Sequence, residues 1–189
     1  MQSQKPQLTD PEIEALVGKS QRGDSESFGK IYDLFVGPIY RYLYYRVGAE
    51  EAEDLTELVF LKTWESIRSY RPKRRFSAWL FRIAHNITVD FYRSNHFKDE
   101  LSEDIPDLRI EANSIERAHR HFDQQILGQA MKELKDHYRQ ILILKYMNDL
   151  SNEEIAQIMG RSQAALRILQ FRALKSLKRV LEKMGISDF

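Results

Sequence analysis

The stretch SNEEIAQIMGRS, residues 151–162, decides the fold class of the second half of the chain. Ser151 with Glu154 three residues later forms a capping box, in which each side chain satisfies a backbone amide of the other at a helix start. Gly160 permits a tight turn, and Ser162 caps the helix that follows. A short helix, a glycine turn and a second capped helix are typical of a helix-turn-helix that binds DNA.

The helix predicted after this turn, from about residue 163 to residue 184, has two different faces. One has the spacing of a packed helix and contains Leu166, Leu169, Ala173, Leu177 and Leu181. The opposite face is basic, and arginines there can pair with guanine edges while apolar side chains touch thymine methyl groups. We therefore predict duplex-DNA contacts from Arg161, Ser162, Gln163, Arg167, Ile168, Phe171, Arg172 and Lys175. A merely solvated basic surface is the alternative interpretation.

Apolar residues recur at spacings of three and four over most of the remaining chain, which predicts further amphipathic helices. With 8 glycines and 5 prolines in 189 residues, the composition also favours an all-α fold. The predicted helices cover about 10–20, 25–46, 50–69, 76–93, 124–135, 136–147 and 152–159. They form two small helical domains, residues 9–94 and 124–185, joined by an extended acidic linker over residues 95–123.

Charge is strongly segregated along the chain, although the formal net charge is only +1. Residues 62–98 hold nine Lys or Arg against two Asp or Glu, and residues 161–183 hold seven against one. Between them, residues 99–116 hold seven acidic residues against one arginine. Any proposed function must explain two basic modules on an acidic connector.

What the sequence lacks excludes several functions. Without cysteine, disulfides, thiolate catalysis and cysteine-ligated zinc are excluded, and the five histidines show no metal-ligand spacing. No stretch approaches the roughly 18 apolar residues of a membrane span, and the polar start of the chain lacks the apolar segment of a secretory signal. We therefore expect a cytoplasmic protein with no cofactor and no insertion into a membrane.

The helix predicted over residues 76–93 carries a narrow polar row beside its core stripe. This row mixes what a separated DNA strand requires, namely cations for phosphates, a ring for stacking and an amide for a base edge. It comprises Arg75, Trp79, Arg82, Asn86, Asp90 and Arg93. A flipped base would need a pocket, and the preceding turn offers Tyr70, Arg71, Lys73 and Arg74 as its wall. The alternative is that Trp79 belongs to the core.

The helix predicted over residues 50–69 has large side chains outside its apolar stripe of Leu55, Val59 and Ile67. Phe60 is expected to be exposed there, and a large exposed apolar side chain is costly without a partner. We therefore predict a protein-docking face that includes Asp54, Glu57, Phe60, Lys62 and Trp64.

Taken together, these segments resemble the sigma-70 superfamily of RNA polymerase sigma factors, in its compact extracytoplasmic-function (ECF, group 4) type. GDSESF (23–28) resembles the opening of conserved region 2, and AEDLTELVF (52–60) resembles its polymerase-docking helix. FSAWLFRIAHN (76–86) is similar to the helix that melts and reads the −10 element. YRQILILKY (138–146), followed by LSNEEIA (150–156), resembles region 4, whose helix-turn-helix reads the −35 element.

The resemblance implies partners and roles for particular residues. In the family, the clamp helices of the largest subunit of core RNA polymerase dock on region 2, which assigns polymerase binding to Asp54, Leu55, Glu57, Phe60 and Lys62. Asn86 matches a position that helps to capture a flipped −10 base, with Tyr70 near the pocket. The surface around Leu142–Tyr146 would meet the flap of the second-largest subunit. Promoter DNA is the second implied partner, and the linker would thread through the RNA exit path.

Two other classes of function compete with a sigma factor. A helix-turn-helix repressor or activator would bind an operator without polymerase, usually as a dimer. An enzyme has little support, because Asp54 and Glu57 lack a nearby histidine cluster, a phosphate loop or a nucleophile motif. We also expect an anti-sigma factor that covers the DNA and polymerase faces of the two basic modules.

Overall fold

The computed structural model describes residues 9–72, 75–95 and 126–186, and the regular elements within those ranges are helical. The α-helices are α1 (Asp10–Ser20), α2 (Ser25–Val47), α3 (Ala49–Ser66), α4 (Phe76–Asn95), α5 (126–132), α6 (Asp136–Leu142), α7 (Asn152–Ile158) and α8 (Gln163–Lys183). A 3₁₀ turn (Ile67–Ser69) extends α3, and a π-helical turn (Ile143–Met147) extends α6. The predicted all-α fold class is confirmed.

Capping side chains define the helix-turn-helix as the sequence predicts. Ser151 Oγ accepts a hydrogen bond from the Glu154 amide, and Glu154 Oε2 accepts one from the Ser151 amide over 2.8 Å. Gly160 has a φ of 61° in the turn, a left-handed conformation that glycine adopts without strain. Ser162 Oγ then accepts from the Ala165 amide at the start of α8. The capping box and the turn are therefore both present.

Helices α1–α4 pack around aromatic and aliphatic side chains. Tyr42 of α2 lies edge-on to Phe81 of α4, with ring centroids 5.6 Å apart, and Phe35 lies edge-on to Phe76 at 5.7 Å. Fully buried aliphatic residues complete this core: Ile31, Ile39, Leu43, Val59, Leu80 and Ala84. Because α3 contacts both α2 and α4, only a limited arc of α3 faces outwards.

Helix α8 packs on α6 and α7 in the second half of the chain. Leu166 and Ala173 are fully buried and Leu181 nearly so, as the predicted apolar face of this helix requires. The opposing core is formed by Met131, Ile141, Ile143, Leu144, Leu150 and Ile155. The burial of this face leaves the basic face of α8 turned outwards.

The two halves of the chain pack against each other. Helix α2 contacts α6, and α4 contacts α7, so that the buried side chains of both halves form one continuous hydrophobic cluster. Residues 96–123 of the predicted linker lie outside the described residues, as do Lys73 and Arg74.

Candidate polymerase and nucleic-acid interfaces

The outer face of α8 presents the residues predicted to contact duplex DNA. All of them are exposed: Arg161, Ser162, Gln163, Arg167, Ile168, Phe171, Arg172 and Lys175. Phe171 is 67% exposed and Ile168 55%, so apolar atoms are available between the arginines. This face therefore offers the cationic and apolar groups that a major-groove contact uses.

Beside that face lies an apolar patch formed by Tyr146, which belongs to the predicted flap-facing surface, and Leu174, for which the sequence predicted no role. Leu174 of α8 is 42% exposed and Tyr146 of the π-helical turn is 55% exposed. Gln170 donates to the Tyr146 hydroxyl over 3.0 Å, which ties this turn to α8. Leu174 follows Phe171 by three residues, the spacing of neighbours on a helix surface. That spacing is the signal that would have found the patch.

The predicted flap-facing surface around Leu142–Tyr146 needs correction. Leu142, Ile143 and Leu144 are buried, because α6 packs on α8 and the π-helical turn packs on α2 and α7. Tyr146 is the exposed residue of the segment, with Lys145 half-buried. A partner that meets this region therefore reaches Tyr146 and the adjoining face of α8.

The charged and amide side chains of the polar row on α4 are exposed along its length, but only those of its first half contact α7. Asn86 and Arg93 are exposed on its C-terminal half. At its N-terminal half, Arg82 Nη1 donates to a backbone carbonyl of α7 over 3.3 Å. Arg75 Nε lies 3.9 Å from Glu154 Oε1 of α7. Helix α7 thus lies beside the first half of the row, where Arg75 and Arg82 contact it and remain exposed.

Trp79 belongs to an aromatic cluster. Its ring centroid lies 5.2 Å from that of Tyr70 and 5.5 Å from that of Phe76, and the residue is half-buried. Its remaining exposed edge lines a small cavity of about 80 Å³ together with Tyr70, Arg71, Arg82 and side chains of α7. Trp79 therefore contributes to the core and also to the wall of a pocket beside the predicted −10 row.

The turn after α3 is held in place from α1, a helix for which the sequence predicts no role in the site. Gln21 Nε2 donates to the carbonyl oxygens of Ile67 and Tyr70 over 3.0 and 2.9 Å. The Tyr70 hydroxyl donates to Glu14, and burial, reinforced by this hydrogen bond, raises the pKa of Tyr70. Tyr70 is thereby fixed as a neutral, buried wall of the pocket.

A third contact from α1 reaches the far side of this turn. Asp10 pairs with Arg75, with Oδ2 and Nε 2.9 Å apart. Asp10, Glu14, Val17 and Gln21 follow one another by four, three and four residues, so they lie on one face of α1. That face packs through Val17, which is 1% exposed, and holds both ends of the turn.

The prediction of an exposed Phe60 was wrong. Phe60 is 4% exposed, and its ring centroid lies 4.6 Å from that of Tyr32 on α2. Leu55, the other apolar residue of the predicted docking set, is also buried. The reason is that α2 and α4 cover α3 from two sides, so that its buried arc is wider than the stripe inferred from spacing.

Other side chains form the outward arc of α3. Asp54, Glu57 and Lys62 are exposed as expected of a docking face. The apolar residues among them are Leu58, Leu61 and Trp64, which are 36%, 53% and 38% exposed. An open groove of about 720 Å³ continues from Leu58 towards Asn86, Ile87 and Phe91 of α4. The outward arc of α3 thus exposes Leu58 and Leu61 where the sequence predicted Leu55 and Phe60.

Comparison with known proteins identifies the family. A sigma-70 region 2 model matches residues 31–97, and a sigma-70 region 4 model matches residues 124–177. The ECF RNA polymerase sigma factor SigM of Bacillus subtilis is 30% identical over 160 residues, which cover 84% of this chain and 97% of SigM. This chain belongs to the ECF sigma factors of the sigma-70 family. As a member of a family of transcription initiation factors, it is not an enzyme.

Two further proteins resemble this sigma factor. The ECF RNA polymerase sigma factor BldN of Streptomyces coelicolor is 34% identical over 173 residues, which cover 88% of this chain and 64% of BldN, so the chain spans less than two thirds of that relative. The sigma factor RpoE of Bartonella quintana, solved with the anti-sigma factor NepR, superposes with a TM-score of 0.70 at 21% identity. That superposition covers 83% of this chain and 98% of RpoE, which supports the fold.

A buried polar network joins the two halves of the sigma factor. Arg46 of α2 is 4% exposed, and its Nε and Nη2 donate to the two carboxylate oxygens of Asp136 in α6 over 3.1 and 2.8 Å. Arg46 Nη1 donates to the Tyr42 hydroxyl over 2.7 Å. Gln140 of α6 also donates to that hydroxyl, over 3.2 Å. The guanidinium is therefore paired and hydrogen-bonded on several sides.

His85 of α4 completes this network. Its Nδ1 accepts from Gln140 Nε2 over 2.7 Å and faces Arg46 Nη1 at 3.3 Å. Because both neighbours are donors, Nδ1 carries no proton and the imidazole is neutral. Burial and the Arg46 charge lower the pKa of His85 to about 4, against a smaller opposing effect of Asp136. The network is thus built for a neutral histidine.

Within the described ranges, no helix has the length and the apolar run needed to cross a bilayer. Nor do the acidic and histidine side chains described there form a group of three or more that could hold a metal ion.

Proposed function

We propose that this sigma factor binds core RNA polymerase and directs it to promoters, with α8 reading the −35 element as intact duplex. The observation that supports this most is the exposed outer face of α8, which is the second helix of a capped helix-turn-helix. Arg167 and Arg172 supply guanine contacts, and Ile168 and Phe171 supply contacts to thymine methyl groups. Lys175 contacts phosphate, which adds affinity but no sequence preference.

The −10 element is read as a separated strand along α4 in this proposal. Asn86 and Arg93 are open for this role, and Arg75 and Arg82 extend the cationic row. Trp79 and Tyr70 form the wall that a flipped base meets, while Arg71, Lys73 and Arg74 hold the phosphates next to it. Proposed region 2 covers residues 9–94 and proposed region 4 covers 124–185, with residues 95–123 as the linker through the RNA exit path.

Polymerase docking is assigned to the outward arc of α3. Asp54, Glu57 and Lys62 surround the exposed Leu58 and Leu61, a polar rim around an apolar centre that resembles the anatomy of protein interfaces. The clamp helices of the largest subunit are the proposed partner of this arc. The flap of the second-largest subunit is assigned to the apolar patch of Tyr146 and Leu174.

An anti-sigma factor is proposed as a third partner. The RpoE structure that this chain resembles was solved with an anti-sigma factor, and the apolar surfaces described above would need cover in an inactive complex. A cytoplasmic location follows from the proposed contact with polymerase and DNA.

Co-purification with core polymerase tests the proposal. Tagged protein should retain core RNA polymerase from the host extract and from a purified preparation, as a known ECF relative does under the same conditions. Leu61→Ala should weaken this retention, whereas Asp33→Asn, a change at an exposed position of α2, should not. If the wild-type chain fails to retain core polymerase while the relative succeeds, the proposed function is wrong.

A further inference from the structure

Two residues of α4 contact the last turn of α2. His85 Nδ1 lies 3.3 Å from Arg46 Nη1, and the Tyr92 hydroxyl donates a hydrogen bond to the backbone carbonyl of Arg46. Among the described residues, these are the side-chain hydrogen bonds that join α4 to the other helices of the first half, residues 9–95. The polar contacts of α4 within this half therefore both go to Arg46.

These contacts fix the rotation of α4 about its own axis. His85 and Tyr92 are seven positions apart, which is about two helical turns, so both lie on the face of α4 that meets α2. Asn86 and Arg93 directly follow them in the sequence, and each residue of an α-helix is turned by about 100° from the one before. A helix held at His85 and Tyr92 therefore presents Asn86 and Arg93 in one direction.

The aliphatic contacts of α4 restrict its rotation less. Leu80 and Ala84 are fully buried in the core, but burial of apolar surface has no preferred direction. It determines which side of α4 faces inwards, whereas a hydrogen bond requires a narrow range of distances and angles. The angle of the helix therefore depends on its two polar contacts with Arg46.

A small rotation of α4 would displace its outward side chains by more than a hydrogen bond tolerates. Side chains extend about 5 to 6 Å from the axis of an α-helix, so a rotation of about 20° moves their ends by about 2 Å. Hydrogen bonds between a nitrogen and an oxygen span only about 2.7 to 3.2 Å. The amide of Asn86 would then miss the base edge that it is proposed to read.

We propose that Arg46 is a positioning residue for promoter recognition, which sets the rotation of α4 and so directs Asn86 towards the −10 element. This inference rests on the proposed function of α4. Arg46 itself does not contact DNA, because its side chain is only 2% exposed. It acts through the two residues of α4 that it holds.

The shape of the guanidinium suits this role. Arg46 Nη1 donates to the Tyr42 hydroxyl over 2.7 Å and faces His85, while Tyr42 lies edge-on to Phe81 of α4. The guanidinium carbon lies 5.5 Å from the centroid of the Tyr42 ring and 6.0 Å from that of the Tyr92 ring. Arginine holds such contacts with a rigid plane, whereas the ammonium of lysine is a point charge on a flexible stem. Lysine at this position would keep the charge and lose the geometry.

Base discrimination in transcription tests this role. Full-length protein with core polymerase transcribes a mapped promoter and templates with one substituted base pair in the −10 or the −35 element, and the ratio of transcripts measures discrimination. Arg46→Lys alters both contacts, and Tyr92→Phe removes one while leaving the Arg46–Asp136 pair intact. The matched controls are Arg41→Lys, at an exposed position of α2, and Tyr44→Phe, whose hydroxyl has no hydrogen bond with the described residues.

Both Arg46→Lys and Tyr92→Phe should lower −10 discrimination by about fivefold or more, leave −35 discrimination unchanged and retain the circular dichroism of the helices. The two controls should discriminate as wild type does. A loss of stability alone would lower transcription from all templates alike and leave the ratios unchanged. Wild-type −10 discrimination in either folded variant, or an equal loss at both elements, overturns the positioning role. If Arg46→Lys does not fold, Tyr92→Phe decides.

A double variant separates this role from the proposed function of α4. Asn86→Ala alone should lower −10 discrimination, and the addition of Tyr92→Phe should lower it little further, because both changes remove the same base contact. An additive loss means that Tyr92 does not act through Asn86, and it overturns the inference. If Asn86→Ala keeps wild-type discrimination at every −10 position, the proposed function of α4 fails, and the positioning role fails with it.

Discussion

At the scale of single residues, Asp149 occupies the left-handed region with a φ of 50°. This conformation costs an L residue free energy that glycine does not lose. We predict that Asp149→Gly raises the free energy of unfolding by about 0.5 to 1 kcal/mol. Asp149→Ala removes the same carboxylate without relieving the backbone, so it should not stabilise. Urea unfolding of the three proteins checks this, and equal gains for Gly and Ala would contradict the backbone explanation.

The adjacent residues Phe60 and Leu61 of α3 have different expected roles: Phe60 packs in the core, and Leu61 binds polymerase. Phe60→Ala should lower the free energy of unfolding by about 3 to 5 kcal/mol, because it leaves a cavity in the core. Leu61→Ala, at a position that is 53% exposed, should change stability by less than about 0.5 kcal/mol. It should instead weaken binding to core polymerase by about fivefold or more, a loss of about 1 kcal/mol. An unchanged polymerase affinity would remove Leu61 from the docking surface.

These two residues also show why burial cannot be predicted in full from the spacing of apolar residues in one helix. The period of α3 correctly places Leu55 and Val59 inside, but it cannot tell how many neighbours will cover the helix. The placement of α2 and α4 on either side buries Phe60 against Tyr32, and that contact depends on residues about 30 positions away. The spacing of Leu58, Leu61 and Trp64 did hold the correct signal.

At the scale of elements, the base contacts proposed for α8 can be tested by a single substitution. Arg172→Ala should reduce transcription from cognate promoters by about 5- to 150-fold, which corresponds to the loss of about 1 to 3 kcal/mol of base discrimination. Binding to core polymerase should be unchanged. The control is Arg179→Ala, an exposed arginine two turns further along α8. If the Arg172 variant transcribes as well as wild type, Arg172 does not read a base.

Helix α1 should influence the turn after α3, which forms a wall of the proposed −10 pocket, without touching DNA. Gln21→Ala removes the two hydrogen bonds to Ile67 and Tyr70, and we predict a loss of about 1 to 2 kcal/mol in the free energy of unfolding. Opening of the −10 region, measured by permanganate reactivity with core polymerase, should fall while core affinity stays constant. Arg22→Ala, an exposed neighbour, should leave both unchanged. Normal promoter opening by the Gln21 variant would show that the turn does not need this support.

Element boundaries were well predicted because their signals are local. The cap at Ser151, the turn at Gly160 and the apolar period of α8 each involve residues within a few positions of one another. The role of α1 was missed for the opposite reason. Gln21 donates to residues that are 46 and 49 positions away, and no local pattern predicts such a contact.

At the scale of the whole molecule, the packing of the two halves should depend on pH through His85. Its pKa of about 4 lies below the ordinary value of about 6.5. Between these values the unfolded chain binds a proton that the folded chain does not, so stability is complete above about pH 6.5 and falls as the pH decreases towards 4. Arg46, Gln140, Asp136 and Arg82 are the charged and polar groups around it.

We therefore predict that the thermal midpoint of wild-type protein falls between pH 7 and pH 5.5, and that it falls less in His85→Gln. The glutamine cannot gain a proton, and its carbonyl oxygen can accept from Gln140 and Arg46 in place of Nδ1. Differential scanning calorimetry at several pH values measures this. If the thermal midpoint falls equally with pH in the two proteins, His85 is not held neutral in the folded network.

The sequence predicted two basic modules but not how they meet. The Arg46–Asp136 pair spans 90 residues, and each partner alone looks like an ordinary surface charge. Arg46 belongs to an amphipathic helix and Asp136 to a helix start, so neither the spacing of apolar residues nor the local composition predicts that the two residues form a pair. Only the folded chain brings them together and places α7 beside the first half of the predicted −10 row.

The most direct test of the account is transcription in vitro with purified core polymerase and this protein on a genomic library, with the initiated transcripts sequenced. We predict transcripts that require the protein, that start downstream of shared −10 and −35 sequences, and that are reduced by Arg172→Ala and by Leu61→Ala. Absence of new transcripts, under conditions in which a known ECF sigma factor produces them, would contradict it.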